Sequence, residues 1–243
     1  MQPYYIPWYG FLEQLKLADY FVFYDDVQYV KRTLMNRVSV KDENSSLWMT
    51  IPLNKVHQGQ NINVTKIQDI SDWKEKHNER LKNAYNTTEF FDDFTIVCNE
   101  IYSHTSLILS EFTINAIKEI AAYYSFNNST DYFLSSDLNI EGKSSERLIA
   151  ICKELGATTY ITGFGALNYL DFELFEQNDI TVEFMNYSKK PYPQINGEFN
   201  PFVTSLDLIA NTGPNGVRYM TTKTMHWKDF IKTEAAFKYL GKQ

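Results

Sequence analysis

Two aspartates, Asp25 and Asp26, close the apolar run Tyr20-Phe21-Val22-Phe23-Tyr24. A carboxylate at the end of a strand could bind a cation, a ribose or an amine; it could equally end the strand and cap a turn. A few residues on, Lys31, Arg32 and Arg37 gather with Asn36 into a compact basic group, in a chain whose formal net charge is −7. The planar guanidinium fork suits phosphate because it offers bidentate, charge-assisted hydrogen bonds. A solvated charged face is the alternative. Lys143-Ser144-Ser145 opens a helical pattern, and the free N–H groups and dipole of a helix start favour an anion. Gly163-Phe164-Gly165 follows a strand-like run, as a phosphate loop would, but lacks the full glycine pattern. His77 shares a predicted helix face with Trp73, as a satisfied core histidine or as a base. The 4 histidines and 2 cysteines show no metal-ligand spacing. Neither a Ser-His-Asp order, a paired CxxC nor an HExxH motif occurs, so no metal is expected, and the sequence names no cofactor.

The elements that must position these groups begin with the opening MQPYYIPWYG. Phe11, Leu12, Leu15 and Ala18 recur at helical spacing and predict a helix over 9–18. The run 20–24 then reads as a strand buried on both faces, typical of parallel sheets. A βαβ unit needs a strand before that helix, so the first strand is expected before Met1, lost or shortened. The opening then becomes the loop after that strand, and in open α/β sheets such loops carry the ligand site. On this reading Gln2 reaches the same cleft as Asp25, and Tyr4 and Tyr9 form a wall stiffened by Pro3 and Pro7. The alternative is that these aromatics only close the core.

Further along, 36–40 and 47–51 suggest a hairpin or short meander, and 64–67 another short strand. Trp73, His77, Leu81 and Tyr85 stand four apart and predict a helix, and 103–124 predicts a long one. Strand, helix, strand, helix and strand alternate from Tyr132 to Phe184, which implies adjacent parallel strands. A helix is expected over 204–210. The fold class expected is therefore α/β, a mostly parallel sheet with flanking helices plus a small hairpin.

Composition bounds the rest. At 243 residues and 44% hydrophobic the chain can bury a sizeable core. It is expected as one domain over 1–243, divisible into a lobe 1–70, a helical segment 71–128 and an α/β part 129–243. Aromatics reach 16%, with 17 Tyr and 17 Phe; tyrosine offers a flat apolar face and a polar tip, which suits planar or sugar-like ligands. The acidic balance argues against nucleic acid. No apolar run approaches the ~20 residues that span a bilayer, and no signal peptide is visible. Cys98 and Cys152 lie in apolar surroundings and read as buried thiols of a reducing cytoplasm.

QPYYIPWYGF, FVFYDDVQYVKRTLMNR, WKEKHNERLKNAY, SSERLIAICKELGATTYITGFGALNYLD, YPQINGEF and SLDLIANTG together resemble the WbqC-like family. The resemblance carries over to Gln2, Tyr4, Asp25, Asp26, Lys31, Arg32, Asn36, Arg37 and His77, and further along to Lys143, Ser144, Gly163, Tyr169 and Gln194. It implies a place in O-antigen or other surface-polysaccharide biosynthesis. The implied reaction adds a small acyl or aminoacyl group, such as glycine, to the amine of a nucleotide-activated amino sugar. A non-catalytic nucleotide-sugar-binding or assembly protein is the other implied role. On chemical grounds Lys31, Arg32 and Arg37 would hold the diphosphate, Tyr4 and Tyr9 would stack on base or sugar, and Asp25 or His77 would take the amine's proton. A proline-bearing loop before a helix and strand is also distantly similar to nucleotidylyl-transferase folds, although their HxGH-type signature is absent.

Overall fold

In the computed structural model, which describes residues 1–41, 46–69, 72–187 and 189–240, the apolar spacing of the first helix sets its orientation. Phe11, Leu12 and Leu15 of α1 (Tyr9–Leu17) are all buried. The chain then enters β1 (Tyr20–Phe23), where Phe21 and Phe23 turn inward and Tyr20 stays exposed. β2 (Arg37–Lys41) and β3 (Ser46–Thr50) form the expected antiparallel hairpin. Three helices follow: α2 (Trp73–Tyr85), α3 (Phe91–Ser103) and α4 (Leu109–Tyr123). After them come β4 (Asp131–Leu134), α5 (Ser144–Glu154), β5 (Thr159–Thr162), α6 (Phe172–Glu176) and β6 (Thr181–Met185). The last elements are α7 (Ser205–Thr212), β7 (Thr224–His226), α8 (Trp227–Phe230) and α9 (Glu234–Leu240).

The fold is α/β, but among the described residues the strands form three small sheets and not one mostly parallel sheet. β1 pairs in parallel with β4, from Tyr20 opposite Asp131 to Phe23 opposite Leu134. β5 pairs in parallel with β6, and β7 adds to β6 antiparallel. β4 and β5, expected side by side, therefore belong to different sheets. β4 gives its hydrogen bonds to β1, and the chain crosses through α5 before β5 begins.

Two other expectations shift. The strand expected over 64–67 is a 3₁₀ turn at Ile62–Val64 followed by isolated bridges, Leu53 to Ile67 and Lys66 to Ile108. Val64 is exposed and Ile67 is buried in the core, but the segment pairs only through these single bridges and so forms no strand. The long helix over 103–124 starts only at Leu109, because His104 takes extended backbone and ends α3. Helix α3 itself, with Phe94, Val97, Cys98 and Ile101 buried, was legible in that spacing but obscured by the polar stretch before it.

Two apolar clusters result. The larger joins α1, β1, the hairpin, α2 to α4 and α7; the smaller packs α5, α6 and α8 on β5 and β6. Among the described residues no helix is long and apolar enough to cross a membrane.

Gly10 marks a tight contact in the larger cluster. A Cβ built there would overlap three carbons of the Trp8 ring. That ring is itself wedged against Tyr187 and Phe202, with centroids 5.1 and 5.4 Å away. In a helix interior Ala normally stabilises by about 1 kcal/mol over Gly. Here the overlap reverses the sign, so Gly10→Ala should lower the urea-unfolding free energy by about 1–2 kcal/mol.

Candidate functional site

A cleft of about 770 Å³ lies between β1 and β5, walled by α1 on one side and α5 on the other. Its upper part opens at the carboxyl ends of β1 and β5. Gln2, Tyr4, Trp8, Tyr24, Ser144, Gly163, Tyr169 and Tyr187 line that mouth.

The opening loop is built to present some of these residues and bury the others. Tyr5 N–H donates to Leu34 O at 2.9 Å, and Pro7 O accepts from Ser205 N–H at 2.8 Å. Between these anchors Ile6 is held at φ 44°, an unusual conformation for a β-branched residue. Tyr5, Ile6 and Tyr9 are fully or almost fully buried, whereas Gln2, Tyr4 and Trp8 are half-buried against the cleft. The Tyr5 hydroxyl contacts His77 Nδ1 at 2.8 Å and the Tyr102 hydroxyl at 2.6 Å. Burial, with Arg80 adding to it, pushes the His77 imidazole down to about 4, so it is neutral at ordinary pH. His77 stands edge-on to Trp73, beneath the loop and outside the cleft lining. Tyr9, expected in the wall, packs edge-on to Trp8 and Tyr192 in the core.

Asp25 and Asp26 separate into two roles. Asp25 is buried: its Oδ1 accepts from Ser136 N–H at 3.1 Å and its Oδ2 from the Ser136 hydroxyl at 2.8 Å. The carboxylate thus ties the end of β1 to the end of β4. Asp26 meets the Arg147 guanidinium in a fork, with Nη1 3.0 Å from Oδ1 and Nη2 on Oδ2. The Ser135 hydroxyl lies 2.6 Å from Asp26 Oδ1. Burial alone would raise the Asp26 carboxyl; the hydrogen bonds from Arg147 and Ser135 outweigh it and leave the group below its ordinary value. The guanidinium carbon of Arg147 stands 4.9 Å from the Tyr24 ring centroid, at the mouth. Burial also raises the Tyr24 phenol, so it stays a neutral hydroxyl.

The basic group lies elsewhere. Lys31 and Arg32 are exposed, and Arg37 stacks over Trp48 of the hairpin at 3.8 Å. Asn36 is buried, accepting from the Tyr29 hydroxyl at 2.9 Å and donating to Ile51 O at 3.0 Å. None of the four lines the cleft. Lys143 is exposed beside Ser144 and also outside the lining. Gln194 is fully engaged: its Oε1 accepts from Lys41 Nζ and Asn200 N–H, and its Nε2 reaches Asp207 Oδ1 at 2.8 Å. So the fold brings Gln2, Tyr4, Ser144, Gly163 and Tyr169 together, with Asp26 just behind. Sequence reasoning missed Tyr24, Tyr187 and Arg147. Tyr24 is the last residue of the apolar run, and Arg147 follows Ser144 by three positions, one helical turn; both signals were present.

Residues 2–219 match the model of the WbqC-like protein family. The chain belongs to the WbqC-like protein family. A relative described as the uncharacterized protein Rv1507c of Mycobacterium tuberculosis (strain ATCC 25618 / H37Rv) is 34% identical over 227 residues, covering 90% of this chain and 95% of the relative. No solved structure matches the chain. Among the described residues, no group of three or more His, Cys, Asp or Glu in this WbqC-like protein could hold a metal ion.

One perturbed carboxyl of the WbqC-like chain lies close to the cleft. Glu13 of α1 is fully buried, accepts from Thr221 N–H at 2.8 Å, and has no partner on Oε2 among the described residues. Burial pushes it from 4.5 up to about 7. Between those values the folded chain keeps a proton that the unfolded chain has released. Its contribution is therefore full below the ordinary value and is lost as pH rises through about 7. Over that window the shift corresponds to about 3 kcal/mol. Denaturant unfolding at pH 5 and pH 7 should show the native chain losing stability relative to Glu13→Gln as pH rises.

Proposed function

We propose that the mouth of the cleft binds a nucleotide-activated amino sugar, and that the chain transfers a small acyl or aminoacyl group onto its amine in surface-polysaccharide biosynthesis. The observation that carries this reading is the mouth itself: tyrosines and one amide gathered at the carboxyl ends of two parallel strands, beside the start of α5. Ligands of open α/β folds bind at such strand ends. Tyr4, Tyr24 and Tyr169 would offer flat faces to base or sugar and hydroxyls to its rim. Ser144 and the free N–H groups of the first α5 turn would receive the diphosphate. That replaces Lys31, Arg32 and Arg37, which face other surroundings. The Gln2 amide would pair with a sugar hydroxyl or the acylated nitrogen. A cytoplasmic place fits this reading, since Cys98 and Cys152 are free and buried.

One observation favours a second reading, a binding or assembly protein without catalysis. Among the described residues the mouth carries tyrosine, serine and glutamine but no imidazole, and the carboxylate of the cleft lining, Asp19, stands at the amino end of β1, away from the mouth. Asp25 and His77, the expected bases, are hydrogen-bonded inward. Only the neutral amine is nucleophilic, so transfer requires the acceptor to shed its proton to solvent or to the acyl donor.

The two readings share a binding test and part on a chemical one. At about a hundredfold excess over Kd, a nucleotide amino sugar should stabilise the chain by about 2.7 kcal/mol, read as a rise in melting temperature. Gln2→Ala and Tyr169→Ala should melt close to the native chain yet lose most of that rise. No response to any nucleotide amino sugar would sink both readings. Incubation with activated glycine and mass analysis of the sugar then separates them, a glycyl mass gain marking the transferase.

A further inference from the structure

The run Gly163-Phe164-Gly165 follows β5 directly, and both glycines line the cleft. Two tyrosine hydroxyls lie against them. A Cβ built on Gly163 would stand 3.2 Å from the Tyr187 hydroxyl, tighter than an ordinary contact, and one on Gly165 would stand 3.6 Å from the Tyr239 hydroxyl. Neither glycine has a positive φ, so what they supply is room and not backbone freedom. Phe164 spaces the two phenols: its ring centroid lies 5.6 Å from that of Tyr187 and 6.5 Å from that of Tyr239. Buried Phe230, 4.8 Å away, fixes the Phe164 ring in turn. Tyr187 comes two residues after β6 and Tyr239 from α9, so three distant stretches of chain meet here. Tyr239 reaches the cleft from its rim and lies beyond residues 2–219, the span that matches the family model.

Tyr4 and Tyr169 close the group. Burial raises the Tyr187 phenol, with Glu13 and Tyr4 adding to it, and raises the Tyr4 phenol, with Tyr239 adding to it. Burial raises the Tyr169 phenol too, and Tyr24, Tyr4 and Tyr239 add to that. Tyr4, Tyr169 and Tyr187 therefore stay neutral, and among the described residues their hydroxyls have no hydrogen-bond partner. A neutral hydroxyl both donates and accepts. A sugar hydroxyl does the same, whereas a phosphate oxygen only accepts and would use half of what such a set offers. Nor does any lysine or arginine line the cleft among the described residues.

We propose that Tyr187 and Tyr239, seated over Gly163 and Gly165 and spaced by Phe164, form the sugar subsite of the mouth, in which Tyr239 reads one ring hydroxyl and sets which amino sugar is accepted. This rests on the reading that the mouth binds a nucleotide-activated amino sugar. The diphosphate at the start of α5 and the sugar at the end of β5 then divide the mouth between two parts of one ligand. Tyr169 stands between them, its carbonyl accepting from the Ser144 hydroxyl at 3.2 Å. A site that pairs with one hydroxyl discriminates against the sugar that turns that hydroxyl away, because its own polar group is then left unpaired.

Calorimetry tests this with three probes: a nucleoside-diphosphate glucosamine, its 4-epimer and the bare nucleoside diphosphate, each as the uridine and the thymidine compound. The native chain is compared with Tyr239→Phe and with Phe237→Ala, a change on the exposed face of α9. Tyr239→Phe removes a single oxygen and should melt with the native chain. It should weaken the preferred sugar by roughly tenfold, erase the preference between epimers and leave the bare diphosphate unchanged, while Phe237→Ala binds all three as the native chain does. Should Tyr239→Phe melt low, Gly163→Ala gives the second measurement. Its Cβ pushes the Tyr187 hydroxyl aside by a few tenths of an ångström and should likewise weaken the sugars and spare the diphosphate. Native sugar binding and epimer preference in Tyr239→Phe overturn the subsite and leave the reading of the mouth standing. An equal loss for the bare diphosphate also overturns the subsite. A native chain that binds none of the probes overturns the subsite together with the reading it rests on.

Discussion

The forked pair of Asp26 and Arg147 joins the two halves of the molecule. Asp26 hangs from the end of β1, in the larger apolar cluster, and Arg147 projects from α5, which packs on the smaller one. Their side chains are only 22% and 10% exposed, so solvent screens the pair weakly. Breaking a buried pair by removing one partner costs about 3–5 kcal/mol, most of it from the stranded charge. Arg147 Nε also donates to Ile140 O at 2.8 Å, which fixes the loop that leads into α5. Position and charge are thereby set together: the guanidinium that neutralises Asp26 also lies against Tyr24, which lines the mouth. A carboxylate here is a structural anchor, and its partner stacks on a tyrosine of the cleft lining.

The opening loop follows the same economy. Tyr5 gives its ring to the core and its hydroxyl to His77 and Tyr102, so the loop backbone is pinned from behind. Its neighbour Tyr4 points the other way, into the cleft, while Ile6 stays buried. The aromatics of MQPYYIPWYG thus divide between core closure and wall, and neither use alone accounts for all four. The strained Ile6 backbone is tolerated because the Leu34 and Ser205 hydrogen bonds and full burial over-determine it.

Periodicity made the hairpin and most of the helices legible, α3 excepted, because a one-sided apolar stripe has one way to be buried. The sheet was harder to read. YFVFY reads as a strand buried on two faces and TTYIT as a strand, but nothing local says which strand lies beside which. β4 joins β1 across more than 100 residues of intervening chain. The site was partly legible for a related reason. Gln2, Tyr4, Ser144, Gly163 and Tyr169 follow from their positions at strand ends and a helix start, which topology brings together. Lys31, Arg32 and Arg37 do not line that cleft, and Arg37 stacks on Trp48, where a flat guanidinium covers an indole well. Adjacency also hid the contrast between Asp25 and Asp26: successive residues leaving a strand point to opposite sides, so one is enclosed by serines and the other faces α5.

The electrostatics of the mouth narrow what can bind there. With a net charge of −7, the chain's long-range field opposes an anionic ligand. The cations that sequence reasoning assigned to phosphate do not line the cleft, and Arg147 already has its carboxylate. An anion at the mouth therefore has to be held by short-range donors, main-chain N–H groups of α5 and neutral hydroxyls, in a partly desolvated place where each bond counts for more. Such binding gains little from diffusion steering and depends on shape, since tyrosine faces and an amide discriminate by fit and by hydrogen-bond pattern. On the function proposed above, a small ligand with a flat base, several hydroxyls and a compact diphosphate would meet those donors together. A highly charged polymer would meet the opposing field at every repeat and find only one set of donors to offset it.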